Sequence, residues 1–170
     1  DIFTVKENFG SFKGVTIAYI GDGNNVLNSL LVASAKVGLN VNVASPKGYE
    51  ASRQVVSIAK DAASLSGSKI FITDDPRAAA KSADVLYTDV WVSMGREKET
   101  AKRAKAFKRF QINDTLVRLA SKGVKIMHCL PAHRGQEITD SVLDSKSAIV
   151  YDQAENRMHV EKAILLKLLA

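Results

Sequence analysis

The stretch Val15-Thr16-Ile17-Ala18-Tyr19-Ile20-Gly21-Asp22-Gly23-Asn24-Asn25-Val26 decides the fold. Residues 15–20 form an apolar, β-rich run that stops at Gly21, and from Val26 to Val37 apolar residues recur at helical spacing until Gly38 closes the pattern. The order is strand, tight turn, helix. Outward from it, residues 41–44 read as a strand, 49–65 as a helix, 70–73 as a strand, 76–82 as a short helix with Pro near its first turn, and 85–88 as the next strand. A long connection through Met94 leads to a basic helix, followed by a helix over 113–121 with Asn113 or Asp114 at its N-cap and Gly123 beyond its end. Residues 125–130 form a strand stopped by Pro131, 148–151 a last strand and 156–169 a closing helix. Strands alternating with helices at this spacing predict an α/β fold, a Rossmann-like three-layer sandwich with a mainly parallel central sheet.

The 170 residues suit one domain, with no Pro- or Gly-rich linker and no internal repeat. At 46% hydrophobic and 25% charged, the composition is that of a soluble globular chain rather than a disordered or coiled-coil one. No apolar run approaches the roughly 18 residues of a membrane span, and the first residues carry no signal-peptide pattern. The chain has no initiating Met, and Ile2, Phe3, Val5 and Phe9 read as an amphipathic helix already under way, so a piece of a longer protein is expected. A single cysteine, Cys129, excludes an internal disulfide and a Cys-based zinc site.

Net charge is +6, but between Arg96 and Arg109 lie seven basic and two acidic residues, which account for most of it. Lys98, Lys102, Lys105 and Arg109 recur there at helical spacing, as on a solvated helix face, which weakens a nucleic-acid reading.

In open parallel sheets ligands sit beyond the carboxyl ends of the strands, which selects the loops 21–25, 89–96, 128–135 and 152–157. The first begins like a dinucleotide fingerprint but has Val26 where the third small residue belongs, and Ser45-Pro46 ends the second strand where an acidic residue would grip a ribose. A helix N-terminus suited to an anion remains, with Asn24 or Asn25 either capping the helix or meeting a ligand. In the second loop Asp89 follows a strand; a buried carboxylate there requires a substrate ammonium, a protein Lys or Arg, or several donors. Trp91 beside it reads as packing. In the third loop His128 and Cys129 are adjacent on a strand and point to opposite faces, which argues against a nucleophilic thiol–imidazole pair.

Taken together, Gly21-Asp22-Gly23-Asn24-Asn25, Asp89-Val90-Trp91-Val92-Ser93-Met94-Gly95, His128-Cys129-Leu130-Pro131-Ala132 and Glu155-Asn156-Arg157 resemble the ornithine carbamoyltransferase family, in its second, L-ornithine-binding domain, over essentially the whole chain (1–170). The resemblance implies that Asn25, Asp89, Ser93 and the Met94 backbone hold the α-amino and α-carboxylate groups of L-ornithine. It further places Cys129 near the reacting δ-amine, with Asp89 beside it for the proton, the Leu130 carbonyl orienting the carbamoyl group and Arg157 on the carbamoyl oxygen. His128 is expected beside them with a less direct role. The family transfers the carbamoyl group of carbamoyl phosphate to the δ-amine, giving L-citrulline and phosphate in arginine biosynthesis, without cofactor or metal. Neither its Ser-Thr-Arg-Thr-Arg nor its His-Pro-x-Gln motif occurs here, so the carbamoyl-phosphate domain is absent and the chain alone is expected to be inactive. A homotrimer, or an assembly of trimers, in the cytoplasm or in a mitochondrial matrix is implied for the full protein. The alternatives are an enzyme acting on N-acetylornithine or putrescine and, from another class, a nicotinamide-binding domain. Aspartate enzymes of this group usually carry Pro where Cys129 stands.

Overall fold

Five strands, β1 (Thr16–Ile20), β2 (Asn40–Ala44), β3 (Ile70–Thr73), β4 (Val85–Thr88) and β5 (Lys125–His128), pair in the order β3-β2-β1-β4-β5. The computed structural model describes residues 1–92 and 97–170. Every strand pairing is parallel, with Ile17 opposite both Val41 and Val85, and Leu86 opposite Ile126. Side chains alternate across the sheet, so Ala18, Ile20, Leu86 and Ile126 supply one core while Ile17, Tyr19, Val85, Tyr87 and Met127 supply the other. Burial on both faces is why the central strands read as unbroken apolar runs.

The helices are α1 (Ile2–Phe9), α2 (Asn25–Val37), α3 (Arg53–Ser66), α4 (Pro76–Ala80), α5 (Thr100–Phe107), α6 (Asp114–Val117), α7 (Asp140–Leu143) and α8 (Val150–Leu169). Val5 of α1, Leu27, Leu30 and Leu31 of α2, and Ala59 of α3 cover the Tyr19 face. Ala79 of α4, Phe107 of α5, Leu116 of α6 and Val142 of α7 cover the other. The outcome is the expected three-layer sandwich. Chain order runs outward from β1 through β2 to β3 and then returns to β4 on the other side of β1. The topological switch therefore lies between β1 and β4, and it fixes where the loops after them meet.

Several expectations about elements change: the strand read over 125–130 ends at His128, and the closing helix read over 156–169 begins at Val150, so residues 152–157 are helical and form no loop. Residues 148–151 are no strand: Ala148 makes one isolated bridge to Ile126, and at Val150 the chain enters α8. A short apolar run is ambiguous between buried strand and buried helix start, and here the helix prevails because Ile149 and Val150 dock as its first turn. The helix read over 49–65 starts at Arg53, because residues 49–51 are drawn against Gly23. The helix read over 113–121 closes after one turn at Val117, with Asn113 as its cap, and the one read over 76–82 ends at Ala80. Lys98, Lys102, Lys105 and Arg109 are exposed as expected, but Arg103, in the middle of the same basic stretch, is wholly buried. No described helix is long and apolar enough to cross a membrane.

Candidate functional site

The turn after β1 is shaped by Asn24. Its side-chain Oδ1 accepts the backbone N–H groups of Val26 (3.0 Å) and Leu27 (3.2 Å), capping α2, and its Nδ2 donates to Asp89 Oδ2 at 2.6 Å. One amide thus ties the loop after β1 to the loop after β4 across the switch point. Gly23 is required by close packing: a Cβ there would stand 2.2 Å from the Glu50 backbone, and the Gly23 N–H donates to the Tyr49 carbonyl at 2.8 Å. Gly23 alone serves this contact, since a Cβ at Gly21 would meet Thr88 and Tyr19 at ordinary distances.

Asp89 is 7% exposed. Its Oδ1 accepts from the Val90 N–H (2.7 Å) and the Cys129 thiol (2.9 Å), while Oδ2 accepts from Asn24. Among the described residues no Lys or Arg pairs with it, so neutral donors solvate the carboxylate and its charge stays available to a ligand. Cys129 is half-buried beside it, and burial, followed by the Asp89 hydrogen bond, pushes the thiol far above its ordinary value. Tyr19 and Tyr87, edge to face with ring centroids 5.6 Å apart beneath this pair, are pushed up too, first by burial and then by the ionisable groups around them, Asp89 foremost for Tyr19 and Cys129 for Tyr87. The thiol and both phenols therefore stay protonated at neutral pH, and the Tyr87 hydroxyl donates to the Asp1 carboxylate at 3.0 Å at the edge of the same cleft.

A cleft of about 640 Å³ opens above this floor, lined by Asn25, Tyr87, Cys129, Leu130, Gln153 and Arg157 among others. Asn24 being the cap, Asn25 stands exposed at the start of α2, facing the cleft. Cys129 and Leu130 come from the end of β5, and Arg157 from the second turn of α8. Asn25, Cys129, Leu130 and Arg157 therefore share one cleft, with Asp89 directly behind Cys129. Ser93 and Met94 lie outside the described residues. A second groove of about 390 Å³ between Phe3 and α8 is walled by Val160, Ala163, Ile164 and Leu168 and has an almost wholly apolar lining.

His128 is fully buried and bonded to Glu137 (3.0 Å), so it faces away from Cys129 and no thiol–imidazole pair forms. Trp91 is 6% exposed and stacks on Phe107, which makes it packing as expected. Arg103 reaches Asp22 (2.9 Å), Glu99 (3.0 Å) and the Trp91 carbonyl (2.7 Å) with its guanidinium over the Tyr49 ring, and so links the loops after β1 and β4 a second time. Of the two asparagines read as cap or ligand contact, Asn24 is the cap. Sequence reasoning missed Arg103 and Glu137, which nothing local singled out.

The family model described as "Aspartate/ornithine carbamoyltransferase, Asp/Orn binding domain" matches residues 13–168. Among curated relatives, a catabolic ornithine carbamoyltransferase of Thermoplasma volcanium is 52% identical over 170 residues, covering 100% of this chain and 56% of that protein. The ornithine carbamoyltransferase of Acidothermus cellulolyticus is 53% identical over 169 residues, 99% of this chain and 54% of its own length. The solved structure of ornithine carbamoyltransferase from Pyrococcus furiosus superposes with a TM-score of 0.93 at 50% identity, over 97% of this chain and 53% of that one. The chain spans about half the length of the curated relatives it matches. With a five-stranded parallel sheet like that of its structural relatives and a family match over nearly all its residues, the chain belongs to the Asp/Orn-binding domain family of the aspartate/ornithine carbamoyltransferases.

Proposed function

We propose that residues 1–170 form the L-ornithine-binding domain of an ornithine carbamoyltransferase. The observation that carries the reading is Asp89, an anion solvated only by neutral donors among the described residues, behind a protonated Cys129 at the base of a cleft that Arg157 overlooks. Asp89 receives the α-ammonium, and Asn25 with the positive end of α2 receives the α-carboxylate, joined by Ser93 and the Met94 backbone. The Val26 and Leu27 amides are already taken by Asn24, so the Asn25 side chain is the main donor α2 offers.

The δ-amine must be neutral to attack carbamoyl phosphate, and its free pKa resembles that of lysine, about 10.4. A thiol held protonated cannot take that proton as a thiolate, which leaves the carboxylate of the Cys129–Asp89 pair as its basic member. Nitrogen attacks the carbamoyl carbon, the Leu130 carbonyl aligns the carbamoyl NH₂ group, and Arg157 stabilises the negative oxygen as it develops. Collapse expels phosphate and leaves L-citrulline.

Carbamoyl phosphate and its clamp belong, on this reading, to the remainder of the polypeptide, and residues 1–170 alone bind ornithine without turnover. The exposed Ile164, Leu165, Leu166, Leu168 and Leu169 of α8 suit a face covered by that remainder. A homotrimer or an assembly of trimers, and a cytoplasmic or mitochondrial setting, follow from the family resemblance. Relatives named catabolic and anabolic are similarly close, at 52% and 50% identity, so similarity favours neither arginine synthesis nor its reverse.

Isothermal titration with L-ornithine, using putrescine and N-acetylornithine as controls and Asp89→Asn in parallel, tests the reading in this chain and in the full-length protein. Ornithine binding lost in the variant supports it. Absence of ornithine binding to both proteins, or equal binding of putrescine, overturns it.

A further inference from the structure

We infer that Glu137, acting through His128, is a positioning residue that fixes the main chain at Leu130; the inference rests on reading the cleft as the ornithine site. Leu130 has φ of +53°, in the left-handed region that a branched side chain avoids. Such a conformation persists only where its surroundings over-determine it, and here the surroundings are specific. The Leu130 N–H donates to His128 Nδ1 at 2.9 Å, which leaves that nitrogen without a proton. His128 Nε2 therefore carries the hydrogen and donates it to Glu137 Oε1 at 3.0 Å. The same Oε1 accepts the His133 N–H at 2.6 Å, so one carboxylate oxygen grips both ends of the turn from Leu130 to His133. The His128 N–H donates to Gln153 Oε1 at 3.0 Å, which sets this loop in register with α8, the helix that bears Arg157.

Stability alone does not account for this pair. His128 and Glu137 are both 0% exposed, and among the described residues Glu137 Oε2 has no hydrogen-bond partner, with His133 Nδ1 4.0 Å away. A buried carboxyl group with a bare oxygen is costly, and an apolar pair of the same size would pack there without that cost. The pair does dictate a direction. With the Leu130 N–H pinned and its φ held at +53°, the residue that carries the carbonyl is fixed at the wall of the cleft where the reacting end of the substrate is proposed to lie. Glu137 touches no substrate. Its loss should misplace the acceptor for the carbamoyl group and leave the grip on the α-amino acid end intact.

The test uses the full-length protein with ¹⁵N-labelled histidine and the variants Glu137→Ala, Glu137→Gln and His128→Asn. Two-bond ¹H–¹⁵N spectra should identify His128 as the Nε2–H tautomer with or without ornithine, and the Leu130 amide should exchange slowly. Glu137→Ala should lower kcat by about 30- to 100-fold while KM for ornithine stays within about threefold, the signature of a misplaced reacting group. Glu137→Gln, whose side-chain oxygen can accept both donors, should restore kcat to within about fivefold of the parent. Should Glu137→Ala fail to fold, His128→Asn decides, because its amide oxygen can accept the Leu130 N–H but cannot reach Glu137, and it should show the same split between kcat and KM. A Nδ1–H or doubly protonated His128, an unchanged kcat in Glu137→Ala, or an equal loss in Glu137→Gln overturns the inference. If the parent transfers nothing to ornithine, the reading of the site fails, while the tautomer and the loss of Leu130 protection in Glu137→Ala still decide the positioning.

Discussion

Cys129 donates its thiol hydrogen to Asp89 Oδ1 at 2.9 Å, so the one sulfhydryl of the chain is held protonated by an anion at its side. Burial is the larger cause and Asp89 the second. Alkylation requires the thiolate, so iodoacetamide should react with the folded chain slowly up to about pH 9, slower than with a free cysteine of pKa about 8.5. Asp89→Asn removes the neighbouring charge and should shift the rate profile to lower pH, though not to that of a free thiol, because burial remains. An identical profile in parent and variant would show that the carboxylate does not act on the thiol.

Stability should fall on the alkaline side. Cys129, Tyr19 and Tyr87 all have folded-state values raised above those of the unfolded chain. Above the unfolded values, about 8.5 for Cys and 10 for Tyr, the unfolded chain has lost protons that the folded one retains, so unfolding releases protons and rising pH favours it. Stability is full below those values and declines above them. Urea midpoints at pH 8, 9.5 and 11 should decrease in that order. Cys129→Ala should flatten the first interval and Tyr87→Phe the second. A midpoint that holds constant to pH 11 would contradict this.

Asn24 does two jobs, and its variants should separate them. Asn24→Ala forfeits the cap, worth about 1 kcal/mol, and a hydrogen bond to a charged partner, worth about 1.5–3 kcal/mol. Asn24→Asp keeps a capping oxygen but places a second carboxylate against Asp89, which should weaken folding at pH 7 and recover in part as the pH falls through the carboxylate range. Denaturant unfolding at pH 7 and pH 5 distinguishes the two variants, and an Asn24→Asp protein as stable as its parent at pH 7 would contradict the geometry.

Arg103 is the largest wholly buried side chain among the described residues. Arg103→Ala strands the buried Asp22 carboxylate without this partner and should cost about 3–5 kcal/mol in urea unfolding. Arg103→Lys cannot reproduce the planar stacking on Tyr49 or the divergent bonds to Asp22 and Glu99, and should recover only part of the loss. A loss below about 1 kcal/mol in the alanine variant, the range of a surface pair, would mean the guanidinium is not buried in solution.

The alternation of strand and helix was legible because apolar runs such as residues 15–20 and the αL glycine Gly38 act locally. Loop positions after β4 and β5 followed from the same pattern and led to Asp89 and Cys129, whereas Arg157, read on a loop over 152–157, stands inside α8. Residues 148–151 were misread because a four-residue apolar run has no period of its own, and whether it extends or coils depends on what it packs against.

Sequence by itself determined the layer order, the parallel sheet and the loops after β1, β4 and β5, since these depend on periodicity and on residues that break it. Only the tertiary structure decided how those loops are locked. Asn24 meets Asp89 from 65 positions away, Arg103 meets Asp22 from 81, and Glu137 becomes the partner of His128 through a turn that no local rule describes. A buried polar group must find its partners wherever the fold brings them, and that encounter is a property of packing, which a linear pattern does not carry.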